Sequence, residues 1–429
     1  MQKTIHERIE RITTTTIIVG VDTGKESHWA RITDYRGIDL MKPVKVTNDL
    51  KGFDGLMARI EKARAAHGCN QVIIGTEPSG HYWRAFGWYL KLHPSQPVLV
   101  NVNPFHTKQA KELDDNSQTK SDKKDALVIA HLIRDGRYFD THLPKDVYAE
   151  LRVFNTERQR VMKQISRASN TIIALTDEFF PEYRTIFKKL TCPTSCEILR
   201  AVPFPTDVLA MGRDDLIALI RQASGGTEGQ KLADELIRTA ANSVGVLEGK
   251  TAARFRLNQL LEELSFQRIQ KAAVEEQLTA ELKKLGLGEI LQSMPGIGPI
   301  IAAAFLGEAG DIDRFDTWKQ LRKLAGLNLT ENSSGKRKGK TTISKRGRPY
   351  LRHMLYMAGE SCILHNDELR QLYYYFRRRS TNPLKYNQAV VAVGLKAMRI
   401  LFYMAKNKAT YDPSKALGDI RKEQLAQIA

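Results

Sequence analysis

Four acidic residues near the beginning of the chain have the chemistry of a divalent-metal site. Asp22 lies among small residues in VGVDTG, which leaves room for a metal and a phosphate, and Glu77 comes just before a Pro-Ser-Gly turn. Asp122 and Asp125 are three residues apart, so on a helix both carboxylates project from one face. Phosphoryl-transfer enzymes need several such carboxylates, because Mg²⁺ takes hard oxygen ligands and tolerates no positive neighbour. Each acid taken alone is also explained as a turn, cap or helix N-terminal charge.

A second candidate site is the basic segment 333–348, SSGKRKGKTTISKRGR, which contains no acidic residue. Such a run suits a phosphate backbone, whose counterions are released on binding. Ser333 and Ser334 precede Gly335 here, and a serine held near cations could attack a phosphate that those cations clamp. The alternative is that the serines shape the turn or touch phosphate. The basic residues predicted to bind nucleic acid are Lys336, Arg337, Lys338, Lys340, Lys345, Arg346 and Arg348.

The sequence PGIGP at 295–299 resembles the turn of a helix-hairpin-helix motif. In that interpretation Gly296 and Gly298 expose backbone N–H groups to a DNA phosphate. A tight corner between two helices is the alternative.

The carboxylates must be positioned by an alternation of strands and helices. The first two predicted strands end at Asp22 and Glu77, and the acid pair begins a helix. This alternation predicts an α/β domain with some parallel pairing. The β-branched runs that predict strands are 13–22, 71–77 and 97–102, and helical spacing occupies 48–67.

Beyond Asp122 the pattern is almost entirely helical, so the predicted fold class is α/β plus α. Long apolar spacing with dense charge at 247–285 is typical of a coiled-coil-like arm, and an ordinary helical bundle fits equally. From Met294 onward, a Gly-rich turn, the basic segment and two further helices indicate a separate helical domain. The predicted domains are 13–150 (carboxylate domain), 151–290 (helical middle region), 291–410 (basic C-terminal domain) and 411–429 (tail).

The overall charge indicates a polyanionic partner. Lys and Arg number 66 against 48 Asp and Glu, a net charge of +18, which favours nucleic acid over an anionic membrane. The chain contains no run of 18 or more uncharged apolar residues and no leader-like N-terminus, so we expect no membrane partner. Four scattered cysteines are typical of a reducing cytoplasm.

Taken together, these residues resemble the DEDD transposases of bacterial insertion sequences, which are bridge-RNA-guided recombinases. The motifs occur in the family's order and cover both ends of the chain. They are VGVDTGKESHWA (19–30), GTEPSGHYW (75–83), TKSDKKDALVIA (119–130), MPGIGPIIAAAFLGEAGDIDRF (294–315), KQLRKLAGLNLTENSSGKRKGKTTISKRGRPYLRHMLYMAG (319–359) and NQAVVAVGLKAMRILFYMAKN (387–407).

The resemblance implies a RuvC-like first domain with an RNase H fold, in which the four carboxylates hold Mg²⁺ or Mn²⁺. It also implies a catalytic serine in a Ser-Gly motif, here Ser334, with Ser333 as the alternative because the serine is doubled. Relatives act as oligomers, dimers that assemble to a tetramer, in which the carboxylate domain of one protomer meets the serine domain of another. A structured non-coding RNA chooses their donor and target DNA. The implied location is the cytoplasm, at the nucleoid.

Three functions therefore compete. The first is a serine-dependent recombinase, in which Ser334 attacks a DNA phosphate with the help of bound metal. A RuvC-like nuclease that uses metal-activated water alone is the second. The third is a non-enzymatic nucleic-acid-binding protein with structural acids. The position of the Ser-Gly motif favours the first.

Overall fold

A computed structural model of the chain describes residues 4–115, 121–331, 339, 341–419 and 423–424. It divides into two units, Met1–Pro144 and Lys145–Ala429. The first unit mixes strands and helices, and the second is nearly all helical. The predicted combination of an α/β region followed by a helical region is confirmed.

A mixed six-stranded sheet forms the centre of the first unit. Its strands are β1 (Thr16–Thr23), β2 (Ser27–Thr33), β3 (Val44–Thr47), β4 (Gln71–Thr76), β5 (Val98–Val102) and β6 (Tyr138–Asp140). They lie in the order β3-β2-β1-β4-β5-β6. The β1–β4 and β4–β5 pairs are parallel and the other three pairs are antiparallel. The parallel pairing predicted from the β-branched runs is therefore present.

Helices cover both faces of this sheet, which explains why β1 is buried along almost its whole length. They are α2 (Leu50–His67), α3 (Trp83–Leu92), α4 (Pro104–Asp115) and α5 (Asp122–Arg134). The short helix α1 (Ile5–Glu10) lies beside the turn before β6, where Arg8 Nη1 donates to the carbonyl of Gly136. On one face, Val19 packs with Phe53 of α2 and Phe86 of α3. On the other face, Ile18 packs with Ile129 of α5.

The second unit consists of helices and one short two-stranded ribbon. The ribbon is formed by β7 (Leu329–Thr330) and β8 (Thr342–Ile343). The helices are α6 (Asp146–Phe179), α7 (Tyr183–Ile186), α8 (Pro193–Ala201), α9 (Pro205–Ala210), α10 (Arg213–Ser224), α11 (Gln230–Ala241), α12 (Lys250–Lys283), α13 (Leu287–Gln292), α14 (Pro299–Ala309), the 3-10 helix Ile312–Arg314, α15 (Trp318–Leu324), α16 (Pro349–His365), α17 (Asp367–Arg378), α18 (Tyr386–Asn407) and α19 (Pro413–Ala416).

Two 34-residue helices, α6 and α12, pack against each other in opposite directions. Near the start of α6, Arg158 Nε donates to Glu275 Oε1 of α12 over 2.7 Å. At the far end of α6, Phe179 shares a cluster with Ala253 at the start of α12. The region 247–285 therefore lies mostly in one half of an antiparallel helix pair, which shares a second core with α8 and α10.

The helix α18 is the one described helix that is long and apolar enough to cross a membrane. Its buried residues, including Val393, Leu401 and Phe402, belong to the main core of the helical unit. They pack there with α16, whose Leu351 and Ala358 lie in the same core. This packing accounts for the apolar composition of α18.

Candidate metal site and nucleic-acid interface

The parallel pairing of β1 with β4 places Asp22 and Glu77 side by side. Val21 lies opposite Thr76 in the register, and the two acids follow these residues by one position each. Functional groups at the carboxyl ends of neighbouring parallel strands meet at one edge of the sheet. The two acids that the sequence places at strand ends therefore share one site.

The start of α5 brings the other two acids. Asp122 and Asp125 both lie in its first turn, where the positive end of the helix dipole favours carboxylates. Asp125 is buried and Asp122 is exposed. The helix lies directly against β1, because Gly20 leaves room for the backbone of Ala126.

The other three carboxylates are close enough to Asp22 to change its pKa. Burial is the largest cause that raises the pKa of Asp22 from 3.8 to about 6. The negative charges of Asp125, Asp122 and Glu77 raise this pKa further, whereas Lys111 opposes them. A bound cation would relieve the same repulsion.

The chemistry of these donors fits a hard divalent cation, but their arrangement is not a preformed cage. Within the described part of the chain, no three Asp, Glu, His or Cys side chains are grouped so that they could hold an ion. Lys111 of α4 reaches the site instead, with Nζ 2.5 Å from Asp125 Oδ2. The carboxylate site of this structure thus includes a positive neighbour.

The predicted serine motif is flanked by the β7–β8 ribbon. Leu329 pairs with Ile343 and Thr330 with Thr342. The residues between these strands include most of the predicted phosphate contacts. Ser333, Ser334, Lys336, Arg337, Lys338 and Lys340 lie outside the described residues.

The end of the basic segment is anchored to the loop after α15 through its backbone. The N–H of Lys345 donates to the carbonyl of Gly326 over 3.0 Å, and that of Arg348 donates to Leu324 over 2.7 Å. Lys345 and Arg346 are exposed. Their side chains therefore face solvent from a fixed backbone, as a phosphate contact requires.

Arg348 has a different environment from its neighbours. Its side chain is 23% exposed and lies 3.5 Å from the carboxylate of Glu308, which is 9% exposed. Burial, followed by the positive charge of Arg152, lowers the pKa of Arg348 to about 10. The structure thus gives Arg348 an internal ion pair, and its phosphate contact stays a prediction.

The two glycines of the PGIGP turn also have different environments, one packed against a helix and one open to solvent. Gly296 has a φ of 90°, and a Cβ on it would lie 2.8 Å from the Cα of Cys362 in α16. Close helix packing therefore explains Gly296 better than a DNA contact. Gly298 is exposed, has open space around it and caps α14, so its end of the turn is open to a phosphate.

Comparisons with known proteins match both halves of this arrangement. A family model for DEDD transposases of the IS110 type, described as "Transposase", matches residues 19–181 and so includes all four carboxylates. The model described as "Transposase IS116/IS110/IS902 family" matches residues 288–374, which include the PGIGP turn and the serine motif. The chain belongs to the IS110-type DEDD transposases. Its family thus comprises enzymes that cut and rejoin DNA.

Individual relatives of this transposase come from several bacteria. It is 25% identical to the 44.8 kDa protein of insertion element IS116 from Streptomyces clavuligerus, over 93% of this chain and 96% of that protein. It is 27% identical to the 43.6 kDa protein of insertion element IS110 from Streptomyces coelicolor, over 70% of this chain and 74% of that protein. The transposase for insertion sequence element IS1111A of Coxiella burnetii is 28% identical over 32% of this chain and 38% of its own length.

Two residues near the carboxylates of this transposase were missed from the sequence. Lys111 lies four residues after Thr107, which is 1% exposed, so both occupy the inward face of α4. The spacing of four residues indicates that Lys111 shares a helix face with Thr107. A lysine in a charged helix is ordinarily solvated, so this spacing alone does not predict a partly buried ammonium. The other is Lys123, whose Nζ lies 4.7 Å from the ring centre of Trp29 on β2. This contact joins the start of α5 to the strand beside Asp22.

Proposed function

We propose that this transposase is a metal-dependent serine recombinase that cuts and rejoins DNA at sites chosen by a structured non-coding RNA. The observation that carries the metal-dependent part is the meeting of Asp22 and Glu77 with the first turn of α5. The sheet order, with β1 central and antiparallel to β2, supports an RNase H-like, RuvC-like domain within 13–150. We further propose 151–290 as an arm with coiled-coil character, 291–410 as the transposase domain and 411–429 as a tail.

Asp22, Glu77, Asp122 and Asp125 would hold Mg²⁺ or Mn²⁺, and Asp122 is the exposed member of the buried–exposed pair at the start of α5. A divalent cation bound there would polarise a DNA phosphate and offset its negative charge. The carboxylates must be ionised to bind it, so the raised pKa of Asp22 predicts weaker binding in acid.

The covalent step is assigned to Ser334, the serine that directly precedes Gly335. Its Oγ would form a bond to phosphorus while one P–O bond to the DNA sugar breaks, and the hydroxyl proton would pass through solvent to the departing sugar oxygen. The broken strand then ends in a free hydroxyl, and the other end stays linked to serine. Attack by the hydroxyl of a new strand on this linkage restores Ser334, so no external energy source is needed.

The surrounding cations would hold nucleic acid. Exposed Lys345 and Arg346, on their fixed backbone, suit a phosphate backbone, and the net charge of +18 suits large polyanionic partners. We propose donor DNA, target DNA and a guide RNA as these partners. The resemblance to the DEDD transposases favours a homo-oligomer, formed by dimers that assemble to a tetramer. It also favours a location at the nucleoid in the cytoplasm.

Carboxylate variants test the enzymatic proposal. Asp22→Asn and Glu77→Gln should abolish strand cleavage of a donor DNA supplied with the co-purified RNA, while DNA affinity stays at or slightly above the parental value. Glu61→Gln is the matched control, because Glu61 lies on α2 with a 43% exposed side chain paired to Arg64. Cleavage by Asp22→Asn or Glu77→Gln at the parental rate would refute the metal site.

Sequencing of bound RNA tests the guide. Protein purified without nuclease and washed at high salt should retain one discrete structured RNA. Random cellular RNA would instead favour a plain nuclease or a nucleic-acid-binding protein.

A further inference from the structure

Lys111 is the cation that the fold places among the four carboxylates. It lies on α4, which packs along α5. Its Nζ is 2.5 Å from Asp125 Oδ2, and the two side chains are 32% and 8% exposed. The ammonium therefore approaches the site from the solvent side of a buried carboxylate.

The positive charge of Lys111 acts on Asp125, one of the four carboxylates. A divalent cation held by Asp125 would act on the same carboxylate with the same sign.

This pair differs from an ordinary surface ion pair. Exposed pairs contribute about 0–1 kcal/mol, because water solvates both charges. A buried carboxylate that loses its partner is left with an uncompensated charge. Lys108, one turn earlier on α4, is an exposed lysine on the same helix.

We propose that Lys111 is an internal counter-ion that a divalent cation must displace from Asp125, so that Lys111 sets the metal affinity of the site. This inference rests on the proposed metal site. The ammonium and a divalent cation repel each other when both approach the Asp125 carboxylate, and its low exposure of 8% leaves little water to screen that repulsion. The lysine side chain is long and flexible, so its ammonium can move into water while α4 stays in place.

The displacement has a functional consequence. When no metal is bound, Lys111 neutralises part of the acid cluster and stabilises the fold. When metal binds, the free energy of the Lys111–Asp125 pair is subtracted from the free energy of binding. Removing the ammonium should therefore tighten metal binding and weaken the metal-free fold together, a combination that loss of a merely structural lysine would not produce.

Binding of Mn²⁺ to the full-length protein tests this without reference to activity. Free Mn²⁺ is counted by electron paramagnetic resonance during titration of nuclease-treated protein. Lys111→Met should bind Mn²⁺ about fivefold or more tightly than the parent. Its thermal midpoint in EDTA should be lower than the parental one. Lys108→Met makes the same change in net charge on the same helix and should match the parent in both measurements.

Further variants separate the possible failures. Lys111→Gln, a second neutral variant, should also bind more tightly, and it serves if Lys111→Met does not fold. If the parent binds Mn²⁺ and Asp22→Asn does not, the metal site stands. Unchanged or weaker Mn²⁺ binding by both Lys111 variants would then overturn the counter-ion inference alone. Absence of Mn²⁺ binding in every protein would overturn the metal site and the counter-ion together.

Discussion

A Cβ atom on Gly20 of β1 would lie 2.0 Å from the carbonyl oxygen of Ala126 in α5. The strand and the helix therefore touch through their backbones. Because β1 carries Asp22 two residues later and α5 carries Asp125 one residue earlier, this contact determines how closely the carboxylates approach. The site depends on a residue that has no side chain.

Substitution of Gly20 should consequently affect both the fold and the site. Gly20→Ala should lower the free energy of unfolding by about 1–3 kcal/mol, because a backbone contact cannot move aside as a side chain can. Urea denaturation measures this. Gly55→Ala on α2 is the control, since no described atom beyond the backbone of its own helix lies within 4 Å of its added Cβ, and a small gain of about 0.4–1 kcal/mol is expected. Equal stability of the two variants would contradict the backbone contact.

The raised pKa of Asp22 predicts a pH-dependent stability difference. Its folded pKa of about 6 exceeds the ordinary value of 3.8, so protonation favours the folded state. This contribution is fully present below the unfolded pKa and is lost as the pH rises through about 6. Asp22→Asn stays neutral at every pH. In EDTA, the thermal midpoint of the parent should therefore fall relative to Asp22→Asn between about pH 4 and 7, and parallel curves would contradict the shift.

Arg348 and Lys345 should respond differently to the loss of charge, although both belong to the basic segment. Arg348→Met leaves Glu308 buried and unpaired, and should lower the free energy of unfolding by about 3 kcal/mol. Lys345→Met should leave stability unchanged but weaken DNA binding and reduce its salt dependence by about one charge. Denaturation and salt-dependent DNA titration, each done on both variants, distinguish the roles. If Lys345→Met lost stability and Arg348→Met lost only DNA affinity, Lys345 would be the structural residue and Arg348 the DNA contact.

Much of the first unit could be predicted from the sequence. β1, β4 and β5 follow β-branched runs that end in turns, and these signals are local. β2 has no β-branched run of this kind, because SHWARIT places His and Arg among its apolar residues. Its antiparallel pairing with β1 becomes evident only in the sheet.

The candidate site could be predicted in composition but not in detail. The four acids were proposed as a site from strand ends and helix spacing, whereas the approach of Lys111 depends on how α4 packs against α5. Arg348 shows the same limit, since its carbonyl partner on Glu308 is 40 residues away in sequence. A run of Lys and Arg residues gives no local sign that the side chain of one of them is largely buried in an ion pair.

The covalent serine–DNA bond is the central claim, and a quenched cleavage reaction tests it most directly. DNA supplied with the co-purified RNA and divalent metal is denatured during cleavage, and protein–DNA adducts are separated and mapped by peptide mass. The account predicts an adduct on the peptide that contains Ser333 and Ser334, absent from Ser334→Ala and from Asp22→Asn, and retained by Ser333→Ala. Ser334→Ala should still bind DNA with the parental salt dependence, because no charge changes. Cleavage without any adduct, or full recombination by the variant lacking both serines, would contradict the account.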